Sequence, residues 1–61
     1  MKLYKFYDFL DRNAIITLTN EDLTKVYYED AMKSIPDKFD DCTVIDFAVS
    51  NDGDVLFKVT F

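Results

Sequence analysis

The chain has 61 residues, 49% of them hydrophobic and 16% aromatic, and its seven basic and twelve acidic residues give a net charge of −5. A chain of this length buries only roughly 60% of the surface that is exposed when it is unfolded, which suffices for one hydrophobic core and not for two. We therefore expect a single domain over residues 1–61. The negative charge disfavours direct binding to nucleic acid.

Signals for export or membrane insertion are not expected. Charged residues interrupt every stretch long enough to be a signal peptide, and the longest run without charge, residues 13–20, is far shorter than the ~20 apolar residues of a membrane span. Cys42 is the only cysteine, so no disulfide framework can form, which favours a reducing compartment. The sequence predicts a cytoplasmic protein with no membrane partner.

The first predicted element is a helix over residues 3–11. Its apolar residues fall at positions i, i+3, i+4 and i+7, which lie on one face of a helix. They are Leu3, Phe6, Tyr7 and Leu10. So short a helix is unstable alone, and we expect it to pack on a sheet.

Two strands and a second helix are predicted next. Residues 14–19 and 24–28 are rich in β-branched and aromatic residues and are predicted to pair as a hairpin, with Leu18 opposite Val26 and Ile16 opposite Tyr28. Asp30 is then the expected N-cap of a short helix over residues 31–35, which Pro36 ends.

The last hairpin has a derivable register. A two-residue Asp52-Gly53 loop would place apolar residues opposite polar ones. A three-residue loop, Asn51-Asp52-Gly53 with a left-handed Gly53, brings like residues opposite one another. The expected pairs are Val49 with Val55, Phe47 with Phe57, Ile45 with Val59, and Asp46 with Lys58.

These elements predict an α+β domain in the order α-β-β-α-β-β, a four-stranded antiparallel sheet with both helices on one face. The expected core residues are Phe6, Leu10, Ile16, Val26, Phe47 and Phe57. The other face is expected to be open. It would carry Ile15, Thr17, Lys25, Tyr27, Val44, Asp46, Ala48, Leu56, Lys58 and Thr60.

The composition argues against catalysis. The chain has no histidine, the commonest general base and transition-metal ligand, and its single glycine is too few for a glycine-rich phosphate loop. Asp40 and Asp41 should raise the pKa of the Cys42 thiol, which disfavours a nucleophile. The segment Asn51-Asp52-Gly53-Asp54 resembles part of a calcium loop but lacks the bidentate glutamate, and a hairpin turn explains it better. We expect no enzyme, no cofactor and no metal site.

Acidic clusters and off-phase aromatic residues are the candidate binding features. The acidic clusters are either solvated loops and helix ends or a surface that resembles nucleic-acid phosphates and occupies a basic groove of a partner protein. Tyr4, Phe9 and Tyr27 lie off the predicted core phase, which favours exposure for binding, although ordinary packing would explain them as well. The candidate partner-binding residues are Glu29, Asp30, Asp37, Asp40, Asp41, Tyr27 and Tyr4.

A resemblance supplies a context. The opening Met1-Lys2-Leu3, followed by Phe6, Phe9-Leu10-Asp11, Asn13 and the strand Ile15-Ile16-Thr17-Leu18, resembles many short proteins encoded by phages and prophages of low-GC Gram-positive bacteria. The resemblance covers mainly the first third of the chain and carries no catalytic residue. It implies a mobile element, in which small acidic proteins are often inhibitors of host defence enzymes, such as anti-CRISPR or anti-restriction proteins.

Two functions are therefore expected. The first is a non-enzymatic protein-binding module, a phage-derived inhibitor that acts as a DNA mimic on a nucleic-acid-handling host enzyme through acidic loops or exposed aromatic residues. The second is a self-associating structural or regulatory accessory protein, a homodimer formed through the open sheet face or through residues 54–61 as an edge strand.

Overall fold

The computed structural model of the chain describes residues 1–61 as a small α+β domain with four strands and three 3₁₀ helices. The strands are β1 (Ile15–Thr19), β2 (Val26–Ala31), β3 (Thr43–Val49) and β4 (Val55–Thr60). The 3₁₀ helices are Leu3–Phe9, Met32–Ser34 and Asp37–Phe39. None of the helices has both the length and the apolar character needed to cross a membrane.

The sheet is mixed, so the prediction of an antiparallel sheet is wrong. The strand order is β2-β1-β4-β3, with antiparallel β1–β2 and β3–β4 pairs and a parallel β1–β4 pair at the centre. The expectation of an edge strand over residues 54–61 is therefore also wrong, because β4 pairs with β1 on one side and β3 on the other. The reason for the mixed sheet lies in the connection between the two hairpins. Residues 32–42 run from the end of β2 to the opposite end of the sheet, so β3 starts there and runs parallel to β2.

One face of the sheet holds the core. The strand residues that point to it are buried: Ile16, Leu18, Val55, Phe57 and Val59. Leu3 of the first helix, Phe39 of the third helix and Cys42 complete the cluster, so the helices cover this face. The elements that cover this face are three short 3₁₀ helices, which differ from the two helices that the sequence predicts there.

The helices differ from the prediction in type and extent. The first is a 3₁₀ helix that ends at Phe9, and Leu10 is already extended. The predicted helix over residues 31–35 is wrong, since Asp30 and Ala31 belong to β2, and no side chain caps the short turn that follows. Pro36 and the extended Ile35 separate this turn from the next one, so the connection stays as two single turns.

The final hairpin follows the predicted register over most of its length. Gly53 has φ +87, and Ser50 and Asp54 close a three-residue loop through a backbone bond of 2.8 Å. The Val49–Val55, Phe47–Phe57 and Asp46–Lys58 pairs are as predicted. A bulge then shifts the pairing, so that Val44 and not Ile45 lies opposite Val59.

The first hairpin has a different register from the predicted one. Leu18 lies opposite Tyr28, and a bulge lies between Leu18 and Thr19. The loop is organised by Asn20, whose side-chain oxygen accepts bonds from the backbone N–H groups of Thr24 (2.9 Å) and Lys25 (3.1 Å). This loop and the bulge together displace β2 by two residues from the predicted pairing.

Two predicted core residues are exposed because they lie in the edge strands. Val26, in β2, is 57% exposed, and Phe47, in β3, is 52% exposed. Ile16 and Phe57 are fully buried as predicted, whereas Phe6 and Leu10 are partly buried.

The second face of the sheet is not covered by the 3₁₀ helices. It carries Thr17, Asp46, Ala48, Leu56 and Lys58. Tyr27 and Val44 were expected here, but both pack against the core cluster, because each lies beside one of the two bulges.

Candidate docking surfaces

Four of the predicted partner-binding residues meet where the first helix contacts the connection between the hairpins. The backbone N–H of Tyr4 donates to the carbonyl of Asp40 (3.2 Å), and Lys2 Nζ donates to the carbonyl of Asp41 (2.9 Å). Asp37 begins the 3₁₀ turn whose last bond is donated by the Asp40 N–H. We call Tyr4, Asp37, Asp40 and Asp41 the acidic junction.

A side-chain bond holds the acidic junction in place. The Tyr7 hydroxyl donates to Oδ1 of Asp40 at 2.7 Å, across 33 residues of sequence. Burial raises the pKa of Tyr7 well above its usual range, and the neighbouring Asp40 carboxylate raises it further, because both oppose a phenolate. Asp40 is therefore occupied in the fold, whereas Asp37 and Asp41 are exposed and available to a partner.

The remaining predicted residues lie on β2, apart from the acidic junction in the chain. Glu29 is on the open face and accepts a long bond from Thr17 (3.5 Å). Asp30 accepts a bond from the N–H of Ala31 (2.7 Å). Tyr27 is half-buried, with its ring 5.0 Å from that of Phe61, so its predicted role as an exposed tyrosine of the open face is not supported.

An apolar concavity of about 290 Å³ lies beside β3, on the core side of the sheet. Its lining is wholly apolar: Phe6, Phe9, Leu10, Phe47, Val49, Val55 and Phe57. Phe6 forms its floor, with its ring 5.6 Å from that of Phe47 and 5.1 Å from that of Phe57. The most exposed members are Phe9 (85%), Val49 (61%) and Phe47. We call Phe9, Phe47 and Val49 the β3-edge surface.

Sequence reasoning found only part of the β3-edge surface. Phe9 was expected to be exposed from its phase in the first helix, and this is confirmed. Phe47 and Val49 alternate like core residues, and they do point to the core side of the sheet. Their exposure follows from the position of β3 at the edge of the sheet, which the pattern of a single strand does not encode.

Cys42 is a buried structural residue. Burial raises the pKa of its thiol, and Asp40 contributes in the same direction, as expected from the sequence, while Lys2 and a backbone hydrogen bond oppose the rise. A thiol held protonated and away from solvent is a poor nucleophile. No group of three or more Cys, Asp or Glu side chains is placed to hold a metal ion.

Comparisons with protein-family models, with curated proteins and with solved structures give no significant match for this chain.

Proposed function

We propose that the chain is a non-enzymatic protein-binding module. The observation that carries this proposal is the β3-edge surface, in which three large apolar side chains surround an apolar concavity and remain exposed. A contiguous exposed apolar patch on a small protein is typical of an interaction site. Burying a Phe or Val side chain fully stabilises a complex by about 1.5–3 kcal/mol, so these residues are available to drive association.

The acidic junction supports a more specific proposal, an inhibitor that acts on a nucleic-acid-handling host enzyme. Asp37 and Asp41 are exposed beside Tyr4, and the chain carries a net charge of −5. Carboxylates on a rigid junction suit the basic groove of a protein that binds phosphates, and tyrosine adds apolar contact with a polar tip. The resemblance of the first third of the chain to phage proteins is consistent with this class of partner.

The inhibitor proposal is tested with a double variant, Asp37→Asn with Asp41→Asn, which removes two negative charges and leaves the Asp40–Tyr7 bond intact. Tagged protein captures its partner from a Gram-positive host extract, and the purified pair is then measured by surface plasmon resonance. Association should weaken markedly between 0.1 and 1 M salt, where the Debye length falls from about 10 to 3 Å. The double variant should associate several-fold more slowly than the wild type.

The matched control is Glu21→Gln with Asp22→Asn, which makes the same change of charge in the exposed β1–β2 loop. It should associate at nearly the wild-type rate. Binding that is insensitive to salt, or equally sensitive to both double variants, would contradict a specific role of the acidic junction. The wider proposal of a protein-binding module would then depend on the β3-edge surface alone.

A further inference from the structure

The outer edge of β3 is only partly covered by the chain itself. Near its start, Lys2 forms an antiparallel bridge with Thr43, and the Met1 carbonyl accepts a bond from the N–H of Val44 (2.8 Å). Beyond this contact β3 is the last strand of the sheet, so residues 45–49 have no strand on their outer side. The short N-terminal contact shows that this edge accepts an extended backbone in antiparallel orientation.

The hydrogen-bonding groups of this free stretch can be assigned from the hairpin. The Ser50 N–H bonds to the carbonyl of Asp54 across the pair, so from Asp46 to Ser50 alternate residues face β4 and the intervening ones face outward. The bulge at Ile45 interrupts this alternation, and the N–H of Val44 points outward to Met1. The backbone N–H and C=O groups of Phe47 and Val49 therefore point away from β4, towards the free edge of the sheet. In agreement, the Phe47 N–H bonds to the side chain of Asp46 (2.8 Å) and not to β4.

We propose that a second copy of this chain occupies this edge, with the two β3 strands paired antiparallel about a two-fold axis at Phe47. This inference rests on the proposed protein-binding function and names the partner of the β3-edge surface. The pairing places Phe47 opposite its own copy and Val49 opposite Ile45, and it ends there because Met1 already lies opposite Val44. The free stretch is thus complementary to itself, as a two-fold interface requires.

The same pairing gathers the exposed apolar residues at one seam. Side chains of Phe47 and Val49 point to the core side in both copies, so the two concavities adjoin there beneath the two first helices. A stable interface needs about 800 Å² from each partner, roughly a fifth of the 4192 Å² surface of this chain. Strand pairing alone does not supply that area, and Phe9 must pack across the seam.

The negative charge of the chain opposes this association, so the dependence of binding on salt distinguishes a dimer from a complex with a basic partner. Each copy carries a net charge of −5, and the register brings each Asp46 opposite Ala48 of the other copy, two residues from its own equivalent. Salt should therefore strengthen the dimer, whereas it should weaken binding to a basic partner. Asp46 must also release the Phe47 N–H, because that group bonds to the partner strand.

Sedimentation equilibrium with the purified full chain tests the proposal. The mass should rise with concentration towards twice that of the monomer, and more readily at 0.5 M than at 0.05 M NaCl. Val49→Lys should weaken the dimer at least about tenfold, because a lysine is forced into the apolar seam. Val26→Lys is the matched control. It introduces the same charge at a similarly exposed valine in the opposite edge strand, and it should not weaken the dimer.

Two further measurements test the dimer without relying on Val49→Lys, which could also act by disturbing the fold of the monomer. Asp46→Ala frees the Phe47 N–H and removes a repulsive charge, so it should strengthen the dimer. Amide hydrogen exchange of Val49 should slow as concentration rises. A wild type that stays monomeric at millimolar concentration, or a dimer weakened equally by both lysine variants, would overturn the proposal. If a monomeric wild type still captured a partner that Val49→Lys lost, only the second copy would be ruled out and the protein-binding function would stand.

Discussion

The two hairpins of this domain are held in register by different means. The β3–β4 hairpin turns on a glycine with φ +87, a backbone geometry that glycine adopts without steric cost. The β1–β2 hairpin turns on Asn20, whose side chain bonds to Thr24 and Lys25, and it places Leu23 at φ +59. A backbone-encoded turn has a clear sequence signal, whereas a turn built by one side chain does not.

The largest expected loss of stability comes from a substitution in β4, the interior strand of the second hairpin, and not from one in β3, its edge strand. Phe57→Ala should lower the free energy of unfolding by about 3–5 kcal/mol, because it leaves a cavity in the core. Phe47→Ala, directly opposite, should cost only about 1 kcal/mol, since about half of that residue is already exposed to water. Urea denaturation measures both. Equal losses would show that β3 is not an edge strand.

The different construction of the two turns explains why only part of the fold could be predicted from the sequence. The turn chemistry around Gly53 and the alternation of the strands were enough to predict the β3–β4 pairs near the loop. The β1–β4 parallel pair was not predictable in this way, because it depends on how far residues 32–42 travel across the sheet. The bulges beside Tyr27 and Ile45 were not predicted from the sequence either, and each of them changes which residues face the core.

The candidate surfaces follow the same division. Exposure of Phe9 and Tyr4 could be derived from helical phase, which is local. The joining of Tyr4 to Asp40 is a long-range contact, and only the folded chain reveals it. The β3-edge surface depends on strand order, a property of the whole sheet. Local patterns therefore predicted individual residues, and the tertiary arrangement decided which of them form a surface.

The second prediction tests the side-chain turn of the first hairpin. Asn20→Ala removes three side-chain hydrogen bonds, including the one that Nδ2 donates to the Thr24 hydroxyl (2.7 Å). Because the loop is exposed, we expect a loss of about 2 kcal/mol in thermal or urea unfolding. Asn51→Ala, in the other loop, is the control and should change stability by less than about 0.5 kcal/mol. Similar losses in both variants would contradict the different construction of the two turns.

The third prediction concerns the contact that ties the first helix to the connection between the hairpins. Tyr7→Phe removes the bond to Asp40 and should cost about 1–2 kcal/mol at pH 7, whereas Tyr4→Phe on the same helix should cost almost nothing. The raised pKa of Tyr7 adds a pH dependence. Above pH about 10 the unfolded tyrosine loses its proton while the folded one keeps it, so stability falls as pH rises. Tyr7→Phe should flatten this alkaline slope in urea titrations, and an unchanged slope would contradict the assignment.

The smallest expected effects come from substitutions at the two residues with positive φ, Gly53 in the β3–β4 turn and Leu23 in the β1–β2 turn. Gly53→Ala should destabilise by about 1 kcal/mol, and the cost is conformational because an added Cβ meets no atom within 4 Å. Gly53→Asn should cost less, since asparagine tolerates the left-handed region. In the first hairpin the opposite change, Leu23→Gly, relieves a strained φ of +59 and should be neutral or slightly stabilising, because that side chain is already more than half exposed. Differential scanning calorimetry at matched pH resolves these shifts. A destabilising Leu23→Gly would show that the leucine side chain, and not only Asn20, holds the β1–β2 turn together.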